Sequence, residues 1–149
     1  KSAQEMCDAA LRVFPTMDGA ILSAAVADFT PVKKYDQKIK EKQSLTIELQ
    51  PNPDIAQELG KRKTNRQVVA GFALETNDEY THAQKKLERK NFDFIVLNSL
   101  ADKGAGFGYD TNKVTIIKRD GDVLDFDLKP KKEVAKDIIT ILASYFTKE

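Results

Sequence analysis

The strongest constraint on the fold is a rhythm: short, continuous apolar runs recur between stretches with helical spacing. The runs are Gly19-Ala-Ile-Leu-Ser-Ala-Ala-Val26, Val68 to Phe72 and Phe92 to Leu97. Each has the length and composition of a strand, without the polar alternation of a strand wetted on one side, so each reads as a buried parallel strand. Ser2-Ala-Gln-Glu5 is a capping box that opens a helix from about Ala3 to Phe14, with Met6, Ala9, Ala10 and Val13 at helical spacing. Asn52-Pro53-Asp54 predicts a second helix, with Asn52 as N-cap, Pro53 at the first position, Ile55 and Leu59 on one face, and Gly60 as a stop. Thr76-Asn-Asp-Glu79 is a further capping box, and the helix it opens carries Tyr80, Ala83 and Leu87 on one stripe. A final helix starts near Pro130 and buries Val134, Ile138, Ile141, Leu142 and Tyr145.

The remaining segments fill in the topology. Thr30 to Lys42 is polar and lysine-rich and reads as a mobile loop. Leu45, Ile47 and Leu49 alternate, which predicts a half-buried strand over Ser44 to Leu49. Leu100 to Thr111 is glycine-rich and irregular, and Asp120-Gly121 between Val114–Ile117 and Val123–Phe126 is a hairpin signal. Strands alternating with helices predict an α/β fold: a Rossmann-like three-layer sandwich with a mostly parallel sheet plus a C-terminal β-hairpin. No internal repeat or interdomain linker is visible, so residues 1–149 read as one domain. The chain opens on a helix, not on the strand and phosphate loop that usually begin a nucleotide-binding α/β unit, so an N-terminally truncated fold is expected.

Composition narrows the function. With 24 basic and 23 acidic residues the net charge is +1, which gives no overall field for nucleic acid or an anionic membrane. Any anion site must be built locally. The apolar runs are too short to span a bilayer, and no signal peptide is visible. Cys7 is the sole cysteine, so an intrachain disulfide is excluded and a cytoplasmic setting is the simplest expectation. With Cys7 and His82 the only residues of their kinds, zinc sites built from such ligands within one chain are excluded. Cys7 lies on an apolar helical pattern and His82 in a charged helix, so they read as core packing and solvent exposure, not as a nucleophile pair.

In open α/β sheets, ligands bind beyond the carboxyl ends of the strands. Ala24-Ala-Val-Ala-Asp-Phe29, Phe72-Ala-Leu-Glu-Thr76 and Asn98 follow the three buried runs. Small residues there let a planar ligand approach the backbone, and Asp28, Glu75 and Asn98 supply polar groups. The plainer reading is that strand ends simply carry polar residues. Lys38-Ile-Lys-Glu-Lys42 reads, on composition alone, as a solvated charge run. Lys86 and Lys90 share a helix face, either as snorkelling surface lysines or as phosphate contacts at the edge of a cleft. Gly104-Ala-Gly-Phe-Gly108 is not a dinucleotide fingerprint, because it leads into the strand at Val114 instead of opening a helix. Neither a Walker A sequence nor a Ser-His-Asp arrangement is present.

Ala24–Phe29, Lys38-Ile-Lys40, Asn52-Pro-Asp-Ile55, Gly71-Phe-Ala-Leu-Glu-Thr76, Lys86-Leu-Glu-Arg-Lys-Asn91, Asp93-Phe-Ile-Val-Leu-Asn98 and Gly106-Phe-Gly-Tyr-Asp-Thr-Asn112 occur in this order over nearly the whole chain. Together they resemble the synthetase domain of bacterial phosphopantothenoylcysteine synthetases, which is often fused behind a flavin-dependent decarboxylase. The resemblance implies a coenzyme A pathway ligase that joins 4'-phosphopantothenate to cysteine with CTP. It proceeds through an acyl-cytidylate and yields CMP and pyrophosphate, with Mg2+ and as a homodimer. It also implies that Ala24 and Asp28 line the nucleotide pocket, with Leu22 and Ser23 contributing backbone. Pro53, Asp54, Ile55 and Ala56 would form a further wall, and Phe72 would pack against the nucleotide. Lys86 and Lys90 would contact its phosphates or ribose, and Lys38 would sit catalytically on a loop that closes over the reacting groups. The family's N-terminal segment, with its phosphate loop and acyl-linked asparagine, has no counterpart here. Metal ligands and the phosphopantothenate phosphate site are therefore unassigned. CTP over ATP rests on the bacterial resemblance alone. The rival readings are a nicotinamide-dependent oxidoreductase, which the missing fingerprint opposes, and a non-catalytic fragment, which the missing segment favours.

Overall fold

Ser2 starts the first helix as its capping box requires. Its hydroxyl accepts from the Glu5 amide at 3.1 Å while the Glu5 carboxylate accepts from the Ser2 amide at 2.7 Å. The computed structural model describes residues 2–40, 44–75, 78–99 and 108–147. Within them, helix α1 (Ala3–Val13) runs into a 3-10 turn at Phe14–Thr16. There follow β1 (Gly19–Leu22), β2 (Phe29–Pro31), β3 (Leu49–Pro51), α2 (Ile55–Arg62), β4 (Val68–Glu75) and α3 (Glu79–Arg89). The chain then forms β5 (Phe94–Ser99), β6 (Thr111–Lys118), β7 (Val123–Pro130) and α4 (Lys131–Ser144).

The main sheet has five strands in the order β1-β4-β5-β6-β7. The β1–β4 and β4–β5 pairs are parallel, and the β5–β6 and β6–β7 pairs antiparallel. Only β6 therefore opposes the common strand direction. Alternate residues of the central strands point to opposite faces. Val69, Ala73, Ile95 and Leu97 meet Cys7, Phe14, Ile55, Leu59, Ala83 and Leu87 of the N-terminal helices. Val68, Ala70, Phe94 and Val96 meet Val134, Ile138 and Ile141 of α4. This is the expected three-layer sandwich. At the amino ends of the strands, Asp93 ties the sheet together. Its carboxylate accepts from the Lys63 ammonium at 2.6 Å and the Val69 amide at 2.7 Å, and its carbonyl from the Tyr145 hydroxyl at 3.1 Å. The hairpin turns at Asp120-Gly121 as predicted, with Gly121 at φ +96°. No described helix is long and apolar enough to cross a membrane.

Several expectations are corrected. The run from Gly19 to Val26 is a strand only as far as Leu22, where its pairing with Gly71 ends, and it is half-buried because β1 lies at the sheet edge. Residues 23–28 leave the sheet as an exposed rim. The segment expected as a loop from Thr30 begins with β2, paired antiparallel to β3. The half-buried strand over Ser44 to Leu49 does not form. Leu45, Ile47 and Leu49 are 49%, 59% and 54% exposed, because among the described residues no layer packs over this small two-stranded sheet. Met6 and Val13 face outward, and Cys7 and Phe14 take the inward face of the first helix. Tyr80 is exposed, leaving Ala83 and Leu87 as the buried stripe of α3. Gly60 does not stop α2, which continues to Arg62. Gly60 instead lets the helix approach the Lys90 carbonyl, from which a Cβ would lie 1.8 Å. Thr76 and Asn77 of the second capping box, Lys42, and residues 100–107 of the glycine-rich segment lie outside the described residues.

Candidate functional site

The rim after β1 is held by Asn52. Its side-chain amide donates to the Ala27 carbonyl at 2.8 Å, and its backbone amide donates to the Asp28 carbonyl at 2.8 Å. Asn52 is thus a loop clasp and not the expected N-cap. The cap is Asp54, which accepts from the Gln57 amide at 3.0 Å. The start of α2, with its positive dipole end at Asp54, Ile55 and Ala56, lines the same hollow as the rim.

The second wall comes from α3. Asn91, in the left-handed region at φ +54°, turns the chain out of α3, and its side chain donates to the Gly60 carbonyl at 2.7 Å. The close α2 approach at Gly60 and this bond fix the Lys90 backbone beside the later part of α2, from which its side chain reaches back to the helix start. There the Lys90 ammonium donates to the second oxygen of Asp54. Lys90 is only 7% exposed. Burial pushes its ammonium below the ordinary lysine value, and the nearby Asp28 carboxylate partly offsets that shift. A cation that burial disfavours, with one carboxylate in hydrogen-bond contact among the described residues, gains from a further anion.

These walls enclose a crevice of about 690 Å³ beyond the carboxyl ends of β1 and β4. It is lined by eleven of the residues predicted from sequence: Leu22, Ser23, Ala24, Asp28, Pro53, Asp54, Ile55, Ala56, Phe72, Lys86 and Lys90. Lys38 is not among them and lies in the exposed segment between β2 and β3. Asn98 is occupied elsewhere, its side-chain oxygen accepting from the Asn112 amide at 3.0 Å. Sequence reading missed Asn52, Met6 and Arg89, which also line the crevice. Arg89 was legible in principle, being three residues from Lys86 on the same helix. Gly71 and Phe92 close the floor, where a Cβ on Gly71 would lie 2.3 Å from the Phe92 ring. Cys7 is buried, burial pushes its thiol above the ordinary value, and His82 is exposed on α3. Both match the structural roles expected of them.

Comparison with known proteins decides the family. The family model for the DNA/pantothenate metabolism flavoprotein C-terminal domain matches residues 1–145. The chain belongs to this family. Among relatives, it is 43% identical over 145 residues to the coenzyme A biosynthesis bifunctional protein CoaBC of Bacillus subtilis, covering 97% of this chain and 36% of that protein. It is 55% identical over 140 residues to a cysteine/cysteine sulfinic acid decarboxylase from an unknown prokaryotic organism, covering 93% of this chain and 39% of that protein. A crystal structure of the C-terminal domain of a CoaBC superposes with a TM-score of 0.76 at 38% identity, covering 97% of this chain and 64% of that one. The chain thus spans little more than a third of these curated relatives.

Proposed function

We propose that this chain supplies the nucleotide-binding crevice of a CTP-dependent phosphopantothenate–cysteine ligase acting in coenzyme A biosynthesis. The CoaBC relatives support the pathway. The carrying observation is that eleven residues picked from sequence converge on one crevice, with the Lys86 and Lys90 cations and the start of α2 facing it. The name of the 55% identical relative also points to cysteine as a substrate.

The chemistry suits such a site. A carboxylate does not condense with an amine in water because oxide is too poor a leaving group. Transfer of CMP to the carboxylate makes a mixed anhydride and releases pyrophosphate, after which the cysteine amine attacks the carbonyl carbon and CMP departs. The site must gather negative charge and stabilise what develops, which fixed cations and helix amides do with little reorganisation. Lys90, Lys86 and the α2 amides would hold the phosphates. Phe72 and the small residues at 24–27 would face the planar base and ribose. Lys38 would reach the acyl-transfer centre when its segment closes over the crevice and excludes water.

A divalent cation such as Mg2+ fits as a companion of the nucleotide. Among the described residues no cluster of three or more His, Cys, Asp or Glu could hold a metal. Mg2+ commonly takes one or two carboxylates together with substrate phosphates. Asp54 has both oxygens engaged, by Gln57 and Lys90, so Asp28 is the carboxylate that would face it. It would supply charge neutralisation along the phosphates. A homodimer and a cytoplasmic setting complete the reading, with the outer edge of β7 as a pairing surface.

The test is turnover by the complete enzyme with 4'-phosphopantothenate, cysteine and either CTP or ATP. The reading requires phosphopantothenoylcysteine, CMP and pyrophosphate with CTP. Absence of a ligation product, or AMP in place of CMP, contradicts it. Lys38→Ala should abolish turnover and leave the fold intact, and near-normal turnover would remove Lys38 from the mechanism.

A further inference from the structure

On α3, His82, Lys85, Lys86 and Arg89 recur at i, i+3, i+4 and i+7 and so form one outward stripe. Together with Glu88 they line an open groove of about 770 Å³. Lys86 and Arg89 line both this groove and the crevice, so the two hollows meet across a pair of cations. Several helical cations are neutralised locally in α2 and α4. Lys61 and Arg62 pair with Glu58, and Lys136 with Glu133. The side chains of Lys85, Lys86 and Arg89 have no ion pair or hydrogen bond among the described residues. In a chain of net charge +1, this is a local concentration of unpaired positive charge leading away from the crevice.

We propose that this groove is the departure site for inorganic pyrophosphate, released when crevice-bound CTP gives up its nucleotidyl group. The inference rests on the nucleotide reading above. In that step a carboxylate oxygen bonds to the α-phosphorus of CTP. The bond from that phosphorus to the α–β bridging oxygen breaks, and its electron pair leaves with pyrophosphate. Negative charge therefore appears at the far end of the phosphate chain, away from the acylated CMP. Lys90 lines only the crevice, whereas Lys86 and Arg89 stand where the hollows join and so meet the departing group. Lys85 touches only the outer groove and draws the anion outward. A compact polyanion with several phosphoryl oxygens gains from such a stripe far more than a nucleoside monophosphate does.

Calorimetric titration of the chain with inorganic pyrophosphate, and separately with CMP, tests this. Because Lys85 and Arg89 are exposed, a Lys85→Gln/Arg89→Gln double variant should melt like the wild type. Its pyrophosphate affinity should fall about tenfold more than its CMP affinity, the size of one or two charge-assisted contacts. Lys85→Arg should retain wild-type pyrophosphate binding, since charge is what matters there. Equal pyrophosphate affinity in wild type and double variant, with CMP binding intact, overturns the departure site and leaves the nucleotide reading standing. Failure of the wild-type chain to bind CMP overturns that reading and the inference with it.

Discussion

The side-chain amide of Asn52 donates to the Ala27 carbonyl at 2.8 Å, joining the start of α2 to the rim that follows β1. Two segments 25 residues apart are thereby held as facing walls of one crevice. Asn52→Ala removes that bond while leaving the backbone bond to Asp28. The expected cost in global stability is about 1 kcal/mol, with a fall in nucleotide affinity of about fivefold. Asn52→Asp, which loses the donor at similar size, should behave like the alanine variant. Unfolding curves and CMP titrations of the three proteins check this.

Gly60 and Gly121 separate two reasons for a glycine. At Gly60 the backbone is ordinary, but a Cβ would collide with the Lys90 carbonyl. At Gly121 a Cβ would meet nothing within 4 Å, and only the positive φ of 96° resists a side chain. Gly60→Ala should cost about 3 kcal/mol through overpacking, and Gly121→Ala about 1 kcal/mol through backbone strain. Gly60→Ala should also weaken CMP binding, because the carbonyl it displaces belongs to Lys90. Denaturant midpoints at constant m-value provide the comparison.

In the proposed nucleotide site, Lys90 should make binding sensitive to alkaline pH. Burial lowers its folded pKa below the ordinary 10.5. The protonated form is the one that attracts phosphate, so affinity is complete below that lowered value and fades as pH rises through it. Binding should accordingly take up protons on the alkaline side. CMP titrations from neutral pH to about 10 should show the loss starting earlier than an unperturbed lysine would allow. Lys90→Met should bind weakly at every pH and flatten the profile.

Tyr145 gives the fold an alkaline limit of its own. Its hydroxyl donates to the Asp93 carbonyl at 3.1 Å, and burial, reinforced by Asp120, Asp93 and Asp122, raises its pKa to about 12. The unfolded chain loses this proton near pH 10, the folded chain later. Stability tied to this group is therefore intact below pH 10 and is lost as pH rises toward about 12. Two units would amount to about 2.7 kcal/mol, reduced to roughly 1 because the ring is partly solvated. Tyr145→Phe should be less stable by about 1 kcal/mol at neutral pH and show a shallower alkaline decline. Thermal melts of both proteins across that range test it.

What the sequence disclosed follows from where the physical signal resides. Val68–Phe72 and Phe92–Leu97 are covered on both faces, so continuous apolarity marked them as central strands. The rule that ligands sit where parallel strands end then led to the rim after Leu22 and to Phe72. Asn52 escaped because its helix-start context is locally convincing, whereas its actual bond reaches across 25 residues. The strand over Ser44 to Leu49 failed for a related reason. Alternation of Leu45, Ile47 and Leu49 presupposes a layer to bury them, and the described residues place none there. Arg89 was within reach of the same spacing argument as Lys86, three residues away on one helix, and only its place where two hollows meet needed the structure.

The central claim concerns one crevice, and amide chemical-shift mapping of the chain during CTP titration addresses it most directly. The account predicts saturable shifts centred on Ser23, Ala24, Asp28, Ile55, Phe72, Lys86 and Lys90. Shifts confined to the hollow of about 400 Å³ at the other end of the strands, around Phe14, Arg62 and Gln67, would contradict it, as would no response at all.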